Sequence, residues 1–151
     1  MIEKHIQKLN INPFLVGLIF QSFYNGYGRE VCALNLHYII SPLIMYKDTC
    51  SLFSSITKNA SLGKIIEENP IPLIELQTRI WKMRELTHLA LINLHNQKKI
   101  ELLKDVVVLE TIFYEQNDSE FKIYLRSAHY LGILFKSFEA VDIYKIFKVI
   151  P

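Results

Sequence analysis

The sequence is short of the features that mark secreted and membrane chains. Its 151 residues include only two cysteines, Cys32 and Cys50, too few for a disulfide framework or a metal site. The expected state is two buried free thiols in a reducing cytosol. No signal peptide is read at the start, because MIEKHIQKLN carries charges where an apolar core belongs. The uncharged stretch from Leu9 to Gly28 has the length to span a membrane. Asn10, Asn12, Gln21, Ser22 and Asn25 interrupt it, so no transmembrane helix is expected. The expected location is therefore cytoplasmic, and the sequons at Asn59 and Asn117 are read as chance. Charge of one sign is missing too: 17 basic and 15 acidic residues leave a net +2, too balanced to argue for nucleic acid. Long polar tracts and internal repeats are absent, which argues against disorder.

What is present is apolar surface. Half of the residues are hydrophobic and 21% are charged, the composition of a well-packed domain with one apolar face to spare for a partner. A chain of this size buries about two-thirds of its unfolded surface. Residues 1–11 are read as an N-terminal arm and 12–151 as a single domain. The expected fold is mainly α with a small β-hairpin (α+β), a winged-helix-like helical domain around one long central helix. That helix is placed over Pro72–Gln97, where Leu73, Leu76, Ile80, Met83, Thr87, Ala90 and Leu94 recur at steps of three and four. Its first half carries Glu75, Arg79, Lys82 and Arg84. Its second half, Leu86–Leu94, is apolar nearly all round and is expected to be a buried strut.

Around it the chain reads in order. Asn12-Pro13 is a helix start, with asparagine as cap and proline in the first turn. That helix is expected to stop near Asn25-Gly26. Gly17 inside it marks either a close backbone approach or a weak spot. The apolar run from Val31 to Tyr46 is read as a helix broken or kinked at Ser41-Pro42, with a strand as the alternative. Two short helices follow, Cys50–Lys58 and Leu62–Glu68. After the long helix, Lys99–Leu103 and Val106–Thr111 pair as a hairpin around Lys104-Asp105. Ser119 or Asp118 caps a helix over Glu120–Phe138. A last short helix carries Val141, Ile143, Tyr144 and Phe147.

No constellation of catalytic residues emerges. There is no phosphate-binding loop, because Gly63-Lys64 lacks the partner glycine and hydroxyl. The histidines are His5, His37, His88, His95 and His129. His88 and His95 share a helix face but stand two turns apart, too far to share a metal. Glu67-Glu68 and Glu115 with Asp118 sit at element ends, where water leaves carboxylates ordinary. Asp105, Glu110 and Lys122 match no nuclease spacing. Neither cysteine has a local activating neighbour. No enzyme activity, cofactor or metal is expected. Arg79, Lys82, Arg84, Lys98 and Lys99 form a local basic cluster. It reads either as a solvated helix face or as a candidate nucleic-acid contact in a winged-helix DNA-binding regulator. Trp81 and Tyr27 read equally as interface anchors or as core.

The two ends of the chain carry more. NPFLVGLIFQSFYNGYG leads into YIISPLIMYKDT, and SAHYLGILFKSFEAVDIYKIFKVIP closes the chain. In order and spacing these blocks resemble the middle-component proteins of bacterial three-component ABC-ATPase systems. The matching positions are Asn12, Pro13, Tyr27, Pro42, Ala128, Leu131, Gly132, Phe135, Ile143, Val149 and Pro151. Ser41 departs from the leucine usual there. The resemblance covers nearly the whole chain. It implies a non-catalytic adaptor subunit in a hetero-oligomer, linking an SMC-like ABC ATPase to an effector in Lamassu-like anti-phage or anti-plasmid defence. Any DNA contact would run through the complex, and no membrane is involved. The partner surface it implies comprises Asn12, Pro13, Phe14, Tyr24, Tyr27, Ile143, Phe147, Val149 and Pro151.

Overall fold

Asn12 opens the first helix. Its side-chain oxygen accepts hydrogen bonds from the backbone N–H groups of Phe14 (3.0 Å) and Leu15 (3.3 Å), and Pro13 takes the first helical position. The computed structural model describes residues 12–57 and 59–151. The expected arm over 1–11, with His5, and Lys58 at the expected end of a short helix lie outside them. In order the described elements are α1 (Pro13–Tyr27), β1 (Val31–Cys32), α2 (His37–Met45), α3 (Lys47–Ser54), α4 (Leu62–Glu68), α5 (Leu76–Lys82), α6 (Arg84–Asn96), β2 (Ile100–Leu102), β3 (Val106–Val108), α7 (Lys122–Phe135) and α8 (Ala140–Phe147). Short 3-10 turns occupy Leu34–Leu36, Ile71–Leu73 and Tyr114–Gln116. The fold is mainly α with a small antiparallel sheet, as expected.

The centre of the fold is the pair α1–α7, not the helix expected over Pro72–Gln97. α1 runs past Gly26 to Tyr27, and the left-handed cap is Gly28 (φ 65°), whose N–H donates to the Tyr24 carbonyl at 2.9 Å. Gly26 serves packing instead. A methyl group there would overlap the His129 carbonyl of α7. The relation is reciprocal: a methyl on Gly132 of α7 would overlap the Phe23 carbonyl and stand 2.7 Å from the Tyr27 nitrogen. The Ser22 hydroxyl donates to the Leu125 carbonyl across the same contact. Leu15, Ile19, Phe20 and Phe23 of α1 and Leu125, Ala128, Leu131 and Phe135 of α7 are all buried in one core. Each of these Leu, Ile and Phe side chains contributes about 1.5–3 kcal/mol on burial. A methyl group on Gly17 would stand 3.3 Å from the Leu94 side chain of α6, so a side chain rather than a backbone approaches it.

The expected long helix is two. The chain passes a 3-10 turn, extends at Ile74 and takes a left-handed conformation at Glu75 (φ 68°) before α5 begins at Leu76. Met83, at φ −97° and ψ 2°, then separates α5 from α6. No proline or glycine marks that break. α5 packs on α2, and α6 packs on α1, β2 and α2. Nor is α6 buried all round. Leu86, Thr87, Ala90, Leu91 and Leu94 face inward, while Leu89 and Ile92 are exposed.

The Val31–Tyr46 run also divides. Its first two residues form β1, and α2 continues through Pro42 to end at Met45. The Ser41 hydroxyl bonds Thr87 Oγ1 of α6 at 2.8 Å, which ties α2 to α6. α3 starts at Lys47, ahead of the expected Cys50, and the Thr49 hydroxyl donates to the carbonyls of Leu43 and Tyr46. β2 and β3 pair as a hairpin with Glu101 opposite Val107, and β1 adds a third strand on β3 with Cys32 opposite Val106. α7 covers a shorter span than expected, α8 carries Val141, Ile143, Tyr144 and Phe147 as expected, and Ser119 Oγ accepts from the Phe121 N–H at 3.2 Å ahead of α7. The end of the chain lies on α5, where both backbone groups of Ile150 pair with the Gln77 amide at 2.8 and 2.9 Å.

The glycine contact generates a direct test. Gly26→Ala and Gly132→Ala should each cost about 3 kcal/mol or more, because backbone rather than a flexible side chain must move. Gly63→Ala in α4, with nothing within 4 Å, should be neutral or stabilising by about 0.5–1 kcal/mol. Urea denaturation of the three variants reads the difference.

Candidate functional site

The residues expected to meet a partner fall into two groups. Tyr24, Tyr27, Ile143 and Phe147 are buried inside the chain's own core. Phe23 stacks on Tyr27 at 5.2 Å between ring centroids, and Phe135 meets Phe147 edge-on at 6.0 Å. These aromatics therefore hold α1, α7 and α8 together and present no surface. Asn12 and Pro13 build the α1 cap, and Val149 is half-buried. Phe14, 60% exposed, and Pro151 face solvent.

The basic cluster is similarly divided. The Arg79 guanidinium lies over the Tyr46 ring at 3.9 Å and donates to the carbonyls of Pro72 (2.9 Å) and Pro42 (3.4 Å). Lys99 pairs with Glu110 at 2.8 Å. Arg84 stands over the Tyr38 ring at 5.4 Å while remaining exposed. Lys98 takes the left-handed position after α6 (φ 60°). Lys82 and Lys98 are exposed and form no ion pair among the described residues. Two of the five, Arg79 and Lys99, are thus engaged by local structure.

A different set of residues comes together at the surface. Trp81, the single tryptophan, is 56% exposed at the end of α5, and Leu89 and Ile92 of α6 are 48% and 49% exposed. Sequence reading placed Leu89 and Ile92 in a buried strut and left Trp81 open. A signal was there: Leu86, Ala90 and Leu94 recur at steps of four and define the inner face. Glu85, Asn93 and Asn96 mark the outer one, and Leu89 and Ile92 fall among them by helical phase. The face joins apolar side chains to Lys82, Arg84 and Glu85.

The ionisable groups inside the fold are held neutral. His37 is fully buried, with Nε2 2.6 Å from the Tyr24 hydroxyl and Nδ1 3.1 Å from the carbonyls of Ala33 and Leu34. Carbonyls only accept, so Nδ1 carries the proton and the Tyr24 hydroxyl donates to Nε2. Burial lowers the His37 pKa to about 4. Burial likewise pushes the Cys50 thiol up to about 11 and Cys32 higher still, so both stay protonated rather than nucleophilic. His88 bonds the Tyr38 hydroxyl at 2.7 Å, and His95 Nδ1 accepts from the Leu102 N–H at 3.2 Å. Asp105 precedes β3 and Glu110 follows it, with Lys122 opening α7. Among the described residues no three His, Cys, Asp or Glu side chains gather as a metal site. No helix among them is long and apolar enough to cross a membrane.

The architecture defines a helical domain with a minor sheet, its aromatic signature turned inward and a tryptophan-bearing helix face turned outward. The chain belongs to the ABC-three component (ABC-3C) system Middle Component 3 family, whose model matches residues 2–151. Comparison with curated proteins and with solved structures gives no match. Among the residues on which the resemblance in the sequence rests, Asn12 and Pro13 cap α1, and Gly132 lets α7 reach it.

Two measurements follow from this geometry. The folded chain resists protonation of His37 down to about pH 4, whereas the unfolded chain takes up that proton near pH 6.5. Stability should be full above pH 6.5 and fall towards pH 4, by at most about 1.4 kcal/mol per unit from this group. A His37→Gln variant, compared by denaturation across that range, should lose this dependence. Separately, acrylamide should quench Trp81 fluorescence in the native chain nearly as well as in the urea-unfolded chain. Strong native protection would contradict the exposed placement.

Proposed function

We propose that this chain is a non-catalytic adaptor that links an SMC-like ABC ATPase to an effector in a cytoplasmic bacterial anti-phage or anti-plasmid defence complex. The observation that carries the proposal is the family match over residues 2–151, which makes the chain a component of a multi-subunit ABC system. The inert state of the buried thiols and of His37 fits a subunit that binds rather than reacts. In this reading the α1–α7 core is a rigid body. The ATPase's nucleotide state reaches the effector through the surfaces of that body.

A second reading, a winged-helix DNA-binding regulator, draws on one observation. The sheet order β1-β3-β2, with α6 leading into the β2–β3 hairpin, is compatible with a winged-helix arrangement. Its difficulty is the outer face of α6, which would enter the groove. Leu89, Ile92 and Glu85 stand there, and Arg79 and Lys99 are engaged elsewhere. DNA is read mainly by polar and cationic side chains.

The adaptor reading predicts that the chain, co-expressed with the ATPase and effector encoded beside it, co-purifies with at least one of them through size exclusion. Remaining a lone monomer beside both soluble partners would defeat it. The regulator reading predicts duplex binding by the isolated chain that weakens steeply with salt. No binding at low salt would remove that reading.

A further inference from the structure

We infer that the outward face of α5 and α6, carrying Trp81, Leu89 and Ile92, is the docking surface for an amphipathic helix with acidic flanks from another component of the same system. The inference rests on the adaptor reading and supplies the contact surface that reading lacks.

The first support is geometric. Thr87 N–H donates to the Met83 carbonyl and Met83 N–H to the Arg79 carbonyl, both at 3.0 Å, so helical phase carries across the break. Trp81, Glu85, Leu89, Ile92 and Asn96 then follow at steps of four, four, three and four, one continuous side. From Trp81 to Ile92 the side extends roughly 16 Å at 1.5 Å per residue, the footprint of about three turns of a docked helix. These side chains have no vacancy inside the fold, because the inner face of α6 is already filled by Leu86, Thr87, Ala90, Leu91 and Leu94. Their exposure is thus not a packing shortfall. Tryptophan and arginine are the side chains most enriched among residues that dominate binding energy, and Trp81 and Arg84 stand here together.

The second support is charge complementarity. Lys82 and Arg84 flank the apolar side chains, with Glu85 the lone acid among them, so the face is net basic. Acidic side chains beside an apolar stripe complement it. A second copy of this chain would instead bring a face of the same net sign. Duplex DNA would suit Lys82 but would leave Glu85 among phosphates and bury no surface against Leu89 and Ile92 except thymine methyl groups.

The test uses the full chain co-expressed with a tagged ATPase and, separately, a tagged effector. Wild-type chain is retained by at least one. Trp81→Ala and Leu89→Glu should each lower retention by that component at least tenfold. The double variant Lys82→Glu/Arg84→Glu should lower it severalfold, more at low salt than at high. Val141→Ser and Ile123→Ser, which alter exposed apolar side chains elsewhere, should be retained like wild type. All variants should keep the wild-type melting temperature, since the altered side chains are exposed. Full retention of both Trp81→Ala and Leu89→Glu overturns the inference while leaving the adaptor reading intact. Equal loss in the Val141 and Ile123 variants overturns it as well. If light scattering shows that the isolated chain is a dimer dissolved by Leu89→Glu, a second copy occupies the face and the inference is wrong. If duplex DNA binds and Leu89→Glu abolishes that binding, DNA occupies it and the inference is equally wrong. A wild-type chain retained by neither component defeats the adaptor reading itself, a result no variant is needed to see.

Discussion

The backbone contact between α1 and α7 is the constraint from which the rest of the fold follows. Two glycines, Gly26 and Gly132, sit where each helix meets a carbonyl of the other, and neither tolerates a methyl group. Helices this close cannot place large side chains between their axes, so the aromatics move to the flanks of the contact. Phe23 packs there against Tyr27 and Phe135, and Phe135 in turn receives Phe147 of α8. On another side of α1, Gly17 makes room for Leu94 of α6. The last helix is thus seated beside the Gly26–Gly132 contact, and the α6 strut against Gly17.

The residues on which the family resemblance rests lie in or beside this scaffold. Asn12, Pro13, Ala128, Leu131, Gly132 and Phe135 start the first helix or build the core. The exposed face on Trp81, Leu89 and Ile92 lies outside that set. Burial keeps His37 and the two thiols neutral near neutral pH.

Some structure was legible residue by residue. The Asn12-Pro13 start, α4 over Leu62–Glu68 and the β2–β3 hairpin rest on local signals: a cap, a proline, a β-branched run with a turn. The misreadings share a different cause. Gly26 looked like a helix end because glycine usually is one, and only the neighbouring α7 makes it a contact point. For Val31–Cys32 a strand was only the alternative reading, since its pairing with β3 spans about half of the chain and two residues carry no periodicity. The break at Met83 has no local mark at all. Tyr24 and Tyr27 looked like anchors because large aromatics with polar tips suit surfaces and cores alike.

By itself the sequence determined the class of fold, the capped start of α1, the small hairpin and membership of the middle-component family, because these depend on nearest neighbours and on ordered motifs. Tertiary structure decided which helix is central, where the long apolar stretch breaks, and which hydrophobic residues face water. The physical reason is that burial is a property of the partner surface. Leu89 and Leu91 differ little in local chemistry, but only the latter's side of α6 points into the core.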